Sequence, residues 1–323
     1  MDFLPRKSFI SSRGYTYSYF YAAGRPRQPT LLFLHGFPSD LQHWAHQIRH
    51  FNNKGYGVVA PDMLGYGKSS KPDDFYEYRF KPMCQDIAEL LKSLSVKSVV
   101  GVGHDFGANL LGRLAAYHPD KLSATIFLAV GSGKPGRQFD IDLIQRMTKQ
   151  AVGFEMFGYI SWLGGKDDPH RVLEEHAHSV MSLLFADASD AWNTWFHPLG
   201  KMEEFVTQSH RLKMAPWFTP ELQHQHLETF AASDGYKGAT RWYRMLLTNA
   251  SLDEEKQIQD CIVQQPALFI GDARTAAQQE RMLSEWMGKL QVQHLHSGHW
   301  LHMEKPDEVN GFIEKFLGTL QPE

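Results

Sequence analysis

Val100-Gly101-Val102-Gly103-His104-Asp105-Phe106-Gly107-Ala108 is an apolar strand running straight into a Gly-x-Asp-x-Gly turn, and helical periodicity starts at once over 107–118. His118-Pro119 then stops that helix. Small residues on both sides of Asp105 let a sharply bent backbone project this one side chain at a helix N-terminus, where a nucleophile would sit. The same bend turns the Phe106 N–H toward the same spot, where it can stabilise a developing oxyanion. Other meanings of the stretch fit less well. Gly101 and Gly103 open a Gly-x-Gly-x-x-Gly dinucleotide fingerprint, but its last position is Phe106, and Gly107 comes one residue late. A phosphate loop at Gly65-Tyr66-Gly67-Lys68-Ser69 fails because the glycine it needs five residues before Gly67 is Asp62. On this stretch alone, Asp105 as a simple helix cap stays open.

Outward from the turn, apolar runs at 15–22, 30–35, 57–60, 97–103 and 124–130 read as strands, with helical periodicity over 79–94 and 107–118 between them. Such alternation predicts an α/β fold, a mostly parallel central sheet with helices on both faces. The pattern changes after Gly131-Ser132-Gly133-Lys134-Pro135-Gly136. From about 139 to 261 there are only helical stretches, rich in Trp, Phe, His and Met. Strands return at 266–271 and 290–296, with helices over 276–288 and 306–317. A discontinuous core, 1–133 and 263–323, is therefore expected to carry an inserted helical cap, 134–262. Insertions of that size between short Gly- or Pro-marked loops usually serve function.

The 323 residues suffice for about two domain-sized units. Lys and Arg number 33 against 36 Asp and Glu, a net charge of −3, so no basic field invites a phosphate backbone and nucleic acid is not an expected partner. The longest apolar runs, 31–34 and 124–130, fall far short of the roughly 18 residues a membrane span needs. Met1-Asp2-Phe3-Leu4-Pro5-Arg6-Lys7 lacks a signal-peptide core, and Gln321-Pro322-Glu323 is no targeting tag. Two cysteines, Cys84 and Cys261, cannot build a disulfide framework, which fits a reducing compartment. A soluble cytoplasmic protein is expected, with nothing in the sequence specifying an oligomeric state.

Two further segments complete a constellation. His35-Gly36-Phe37-Pro38 follows an early strand, and Ser297-Gly298-His299-Trp300 leaves the last strand on a tight Gly turn suited to a catalytic base. The order, Asp105 before His299, sets nucleophile ahead of histidine. The segments over 1–133 and 263–323 resemble the α/β-hydrolase fold. The His-Gly-x-Pro turn at 35–38 and the Gly-His-Asp-x-Gly-Ala elbow at 103–108 resemble the soluble epoxide hydrolases within it. Asp234-Gly235-Tyr236-Lys237-Gly238-Ala239-Thr240-Arg241-Trp242-Tyr243-Arg244 is similar to that family's cap segment ending in Trp-Tyr-Arg, and Phe157-Gly158-Tyr159 to its other tyrosine-bearing segment.

The resemblance implies roles. Asp105 would attack an epoxide carbon to form an ester, and His299 would activate water against it, with the Phe37 and Phe106 N–H groups holding the oxyanion. Tyr159 and Tyr243 would protonate the leaving oxygen, and neither a metal nor an organic cofactor would be needed. The family sets the acid that orients the histidine several residues beyond the seventh strand. Counted from that strand, Thr275 occupies the place; counted back from His299, Asp272 lies at an ordinary family spacing, and a shortened loop reconciles the two. After the sixth strand nothing acidic occurs before Asp140. Asp272 is the favoured acid.

Rival functions share parts of this pattern. A dehalogenase would use the same Asp105, yet halide release calls for a side-chain donor beside the nucleophile, and Phe37 and Phe106 have none. Trp192 and Trp195 in the cap could supply one. A noncatalytic ligand-binding relative would be favoured only by the displaced acid. The 17 histidines, among them His294, His296, His299 and His302, or His43, His46 and His50, come with no paired cysteines and no His-Glu-x-x-His, so they read as surface and packing residues rather than metal ligands.

Overall fold

The apolar runs pair into one eight-stranded sheet in the computed structural model, which describes residues 4–187, 190–259, 261–274 and 276–320. The strands are β1 (Lys7–Ile10), β2 (Thr16–Ala22), β3 (Thr30–Leu34), β4 (Gly57–Pro61), β5 (Val99–His104), β6 (Leu122–Leu128), β7 (Val263–Asp272) and β8 (Met287–Leu295). Their order is β1-β2-β4-β3-β5-β6-β7-β8. β1 and β2 run antiparallel at one edge, and every pair from β4 to β8 is parallel. Parallel strands are covered on both faces, which is why Leu31, Leu32, Phe33, Val100, Val102, Ile126 and Phe127 are all fully buried instead of alternating.

The mostly parallel α/β sheet is the one expected, with two differences of detail. β1 carries no apolar alternation, because as a short edge strand it is largely exposed. The helix expected over 276–288 ends at Ser284. Beyond it Trp286 is buried, its indole N–H donates to the Ser132 carbonyl at 2.9 Å and its own carbonyl accepts from Val263 N–H at 2.9 Å. Those bonds draw the chain into β8 from Met287 onward.

The chain divides into two compact units, one of Lys71–Arg79 with Gln138–Ser251, the other of the chain up to Ser70, Phe80–Arg137 and the stretch from Leu252 onward. The first is helical: among its described residues the sole β pairing is an isolated bridge, Ala186 with Met214. The second holds the sheet. Because β3 and β5 are hydrogen-bonded neighbours, with Leu34 opposite Gly103, the turns leaving their C-terminal ends lie side by side. β7 and β8 are likewise paired, with Asp272 opposite Leu295. Ligands in open α/β sheets sit beyond the carboxyl ends of such strands. No helix among the described residues is long and apolar enough to cross a membrane.

Candidate active site

Asp105 is the hinge between β5 and the helix Phe106–Tyr117, at φ 55° and ψ −126°. A residue with a Cβ is rarely found at positive φ, so the elbow holds Asp105 under strain at the start of a helix whose dipole favours negative charge. The close approach explains the glycines. A Cβ on Gly36 would lie 2.2 Å from Asp105 Oδ1, and one on Gly107 would lie 2.0 Å from the Leu34 carbonyl oxygen.

The Phe37 N–H donates to Asp105 Oδ1 at 2.8 Å. Its loop is itself pinned: Met63 N–H donates to His35 Nε2 at 2.9 Å, leaving His35 Nδ1–H to donate to the Gly36 carbonyl at 3.1 Å. Burial holds the His35 pKa down to about 4, so this tautomer persists at neutral pH. Burial raises the Asp105 pKa above the ordinary carboxylate value, opposed by nearby His104 and by the Phe37 and Phe106 amides. The carboxylate is thus partly desolvated, a condition that favours nucleophilicity.

On its other side, Asp105 Oδ2 faces His299 Nε2 at 3.6 Å, with the two side chains 22% and 16% exposed. The His299 loop is tethered at two points. Gly298 N–H donates to Glu304 Oε2 at 2.7 Å, and His104 Nε2–H donates to the His299 carbonyl at 2.9 Å. The His104 ring also lies 4.5 Å from both the His299 and His302 rings, and His302 in turn 4.4 Å from Trp44. Burial and the neighbouring His299 lower the His104 pKa to about 3, and burial takes His302 well below its ordinary value.

Asp272 closes β7, where its carboxylate belongs to Arg274. It accepts Arg274 N–H at 2.9 Å and Arg274 Nε–H at 3.0 and 3.1 Å, with a further bond from Nη2. Burial alone would raise its pKa, but the Arg274 bonds outweigh it and the net direction is down. Thr275 lies outside the described residues. Asp140 caps the helix Ile141–Val152 in the helical unit, accepting Leu143 N–H at 2.9 Å.

Within the helical unit, Tyr159 opens the short helix Gly158–Leu163 and Tyr243 belongs to the helix Lys237–Leu247. Their rings meet edge to face at 5.9 Å. Gly164 permits the crossing, since a Cβ there would lie 2.7 Å from the Tyr243 carbonyl. Tyr159 stacks on Phe196 at 4.1 Å, at the end of a π-helical turn, Trp192–Phe196.

The sheet unit therefore brings together Asp105, His299 and the amides of Phe37 and Phe106, and places Asp272 with Arg274; the helical unit pairs the tyrosines. Residues the sequence did not single out are Arg274, His104 and Glu304. His104 stands inside the quoted elbow, but as the inward-facing end of a strand it reads as packing. Among the described residues, no group of three or more His, Cys, Asp or Glu is placed to hold a metal ion.

This sheet order, elbow and late histidine are those of the α/β-hydrolase fold, and the chain belongs to that family: its model matches residues 29–306. The relatives are narrower. The epoxide hydrolase of Caballeronia sordidicola is 27% identical over 307 residues, covering 90% of this chain and 88% of that protein. Rat bifunctional epoxide hydrolase 2 is 25% identical over 297 residues, and the match spans only about half of that longer protein, 52%, against 90% of this chain. Among solved structures, epoxide hydrolase A from Mycobacterium thermoresistibile superposes with a TM-score of 0.82 at 26% identity, covering 99% of both chains.

Proposed function

We propose that the protein is a cofactor-independent epoxide hydrolase, converting an apolar or aryl epoxide to a vicinal diol through an ester on Asp105. The observation that carries this is the division of the Asp105 carboxylate, with Oδ1 on the Phe37 amide and Oδ2 toward His299. The relatives named above, all epoxide hydrolases, support it.

Oδ2 attacks an epoxide carbon, and the broken C–O bond leaves its electrons on the ring oxygen, which takes a proton from the phenol of Tyr159 or Tyr243. Neutral His299 then removes a proton from water as the water oxygen adds to Cγ. Charge collects on Oδ1, where Phe37 and Phe106 N–H groups stabilise it. Collapse expels the diol oxygen, which takes the proton from His299. The second water proton, left on the carboxyl, restores the phenol. Asp272 supplies the negative charge that supports the imidazolium. The aromatic side chains of the helical unit suit an apolar substrate.

A single turnover of excess enzyme with styrene oxide in heavy-oxygen water tests the reading. The first diol should carry unlabelled oxygen drawn from Asp105. Heavy oxygen in that diol, or the absence of diol, sinks it; halide released from a haloalkane in place of diol would favour the dehalogenase alternative.

A further inference from the structure

A triad acid acts by placing its negative charge against the histidine. Here that carboxylate is already engaged. Arg274 holds Asp272 through its backbone N–H, its Nε–H and its Nη2, and the same Nη2 donates to the Ser297 carbonyl at 3.1 Å, two residues before His299. Ala273 N–H adds a bond to the Leu295 carbonyl at 3.0 Å. One guanidinium thus ties the end of β7 to the loop that carries the base.

We propose that Arg274 is a positioning residue for the hydrolytic half of the reaction, fastening Asp272 to the His299 loop and offsetting part of the field that Asp272 directs at the imidazole. The inference rests on His299 being the base of ester hydrolysis and on Asp272 being its acid. An arginine fork is the group suited to such a grip, since it pairs with a carboxylate through two parallel bonds and never loses its charge. With its side chain 63% exposed, Arg274 can be replaced without opening the core.

Other charges around His299 come from every side. Asp105 faces its ring, His104 lies beneath it, and Glu304 holds the preceding amide. His302 and His43 stand behind His104, and His296 acts on Asp272. Of these, Glu304 also feels the Arg274 charge, so only the part of a change in His299 titration that requires Asp272 isolates the pair.

The test is an imidazole titration by NMR on the intact protein, with the His299 signal assigned by its loss in His299→Gln. Arg274→Ala removes the guanidinium's opposing charge and frees the Asp272 carboxylate to turn toward the ring, both of which favour the protonated imidazole, so it should raise the His299 pKa by roughly one unit. Arg274→Lys, which keeps the charge without the fork, should fall between. In an Asp272→Asn background only the guanidinium's own charge is lost, so Arg274→Ala should produce a smaller rise than with Asp272 present. An unchanged His299 titration in Arg274→Ala, or the same shift without Asp272, overturns the proposal. The acid limb of ester hydrolysis should move with the titration while the alkylation rate stays constant; a limb that stays put counts equally against it. The parent reading is scored separately: if His299→Gln forms no covalent adduct with styrene oxide, that reading fails whatever the titration does.

Discussion

His104 donates from Nε2 to the carbonyl of His299, 2.9 Å away, so the residue just before Asp105 fixes the backbone of the residue that faces it. The bond joins the end of β5 to a loop 195 positions later.

Removing that donor should loosen one partner and leave the other. In His104→Leu the His299 carbonyl loses a buried bond, a change typically worth about 1–3 kcal/mol when the orphaned group stays dry. Ester hydrolysis is expected to slow by roughly tenfold or more, with alkylation much less affected because Asp105 keeps the Phe37 amide. Rapid-quench measurement of both steps checks this; equal slowing of the two would show that His104 acts on the elbow as a whole.

Acid should weaken the fold early. Burial lowers His35, His43 and His197 to about 4 and His104 to about 3, and takes His302 well below its ordinary value. Each stays neutral in the native state while the unfolded chain protonates near 6.5, so each contributes stability that is complete above about pH 6.5 and declines below it. The loss per group is about 1.4 kcal/mol per pH unit until the native pKa is reached. Asp62, Asp86 and Asp105, raised by burial, pull the other way as pH falls, but the histidines outnumber them. The melting temperature should be flat from pH 8 to 7 and drop steeply below 6.5, with a shallower drop in His302→Gln. A profile level down to pH 5 would contradict this.

Tyr159→Phe and Tyr243→Phe should slow ring opening and largely spare ester hydrolysis, since in the proposed reaction the phenol donates its proton to the leaving oxygen in the first step. A lost donor of this kind is worth about 2–4 kcal/mol, or roughly 30- to 1000-fold, and the double variant should be nearly inert. A variant that alkylates at the wild-type rate has lost a packing tyrosine only, which the Tyr159–Phe196 stack would then account for.

How much of this was legible in the sequence follows from how local each signal is. The Gly-x-Asp-x-Gly turn at Asp105 and the parallel strands β3 to β7 announce themselves, because bent backbones demand small residues and twice-covered strands demand continuous apolar runs. β1 did not, being a short and largely exposed edge strand. Nor did Trp286, whose bonds to Ser132 and Val263 end a helix that periodicity alone would prolong. The grip of Arg274 on Asp272 joins neighbours two apart with a loop 23 residues on, and no repeat or motif encodes such a tie. His104 and His302 hid as ordinary core positions, since side chains that pack against one another leave no periodic trace.

The left-handed backbone of Asp105 has a consequence for descent. A side chain at φ 55° carries a penalty of order 1–3 kcal/mol that glycine would escape, and a partly desolvated carboxylate adds to it. Asp105→Gly should therefore melt at a higher temperature than the parent while losing all turnover. On the proposed mechanism, selection for chemistry opposes that change. Copies of this gene released from such selection should accumulate glycine at this one position ahead of other replacements, which makes position 105 a marker by which retired lineages could be told from working ones.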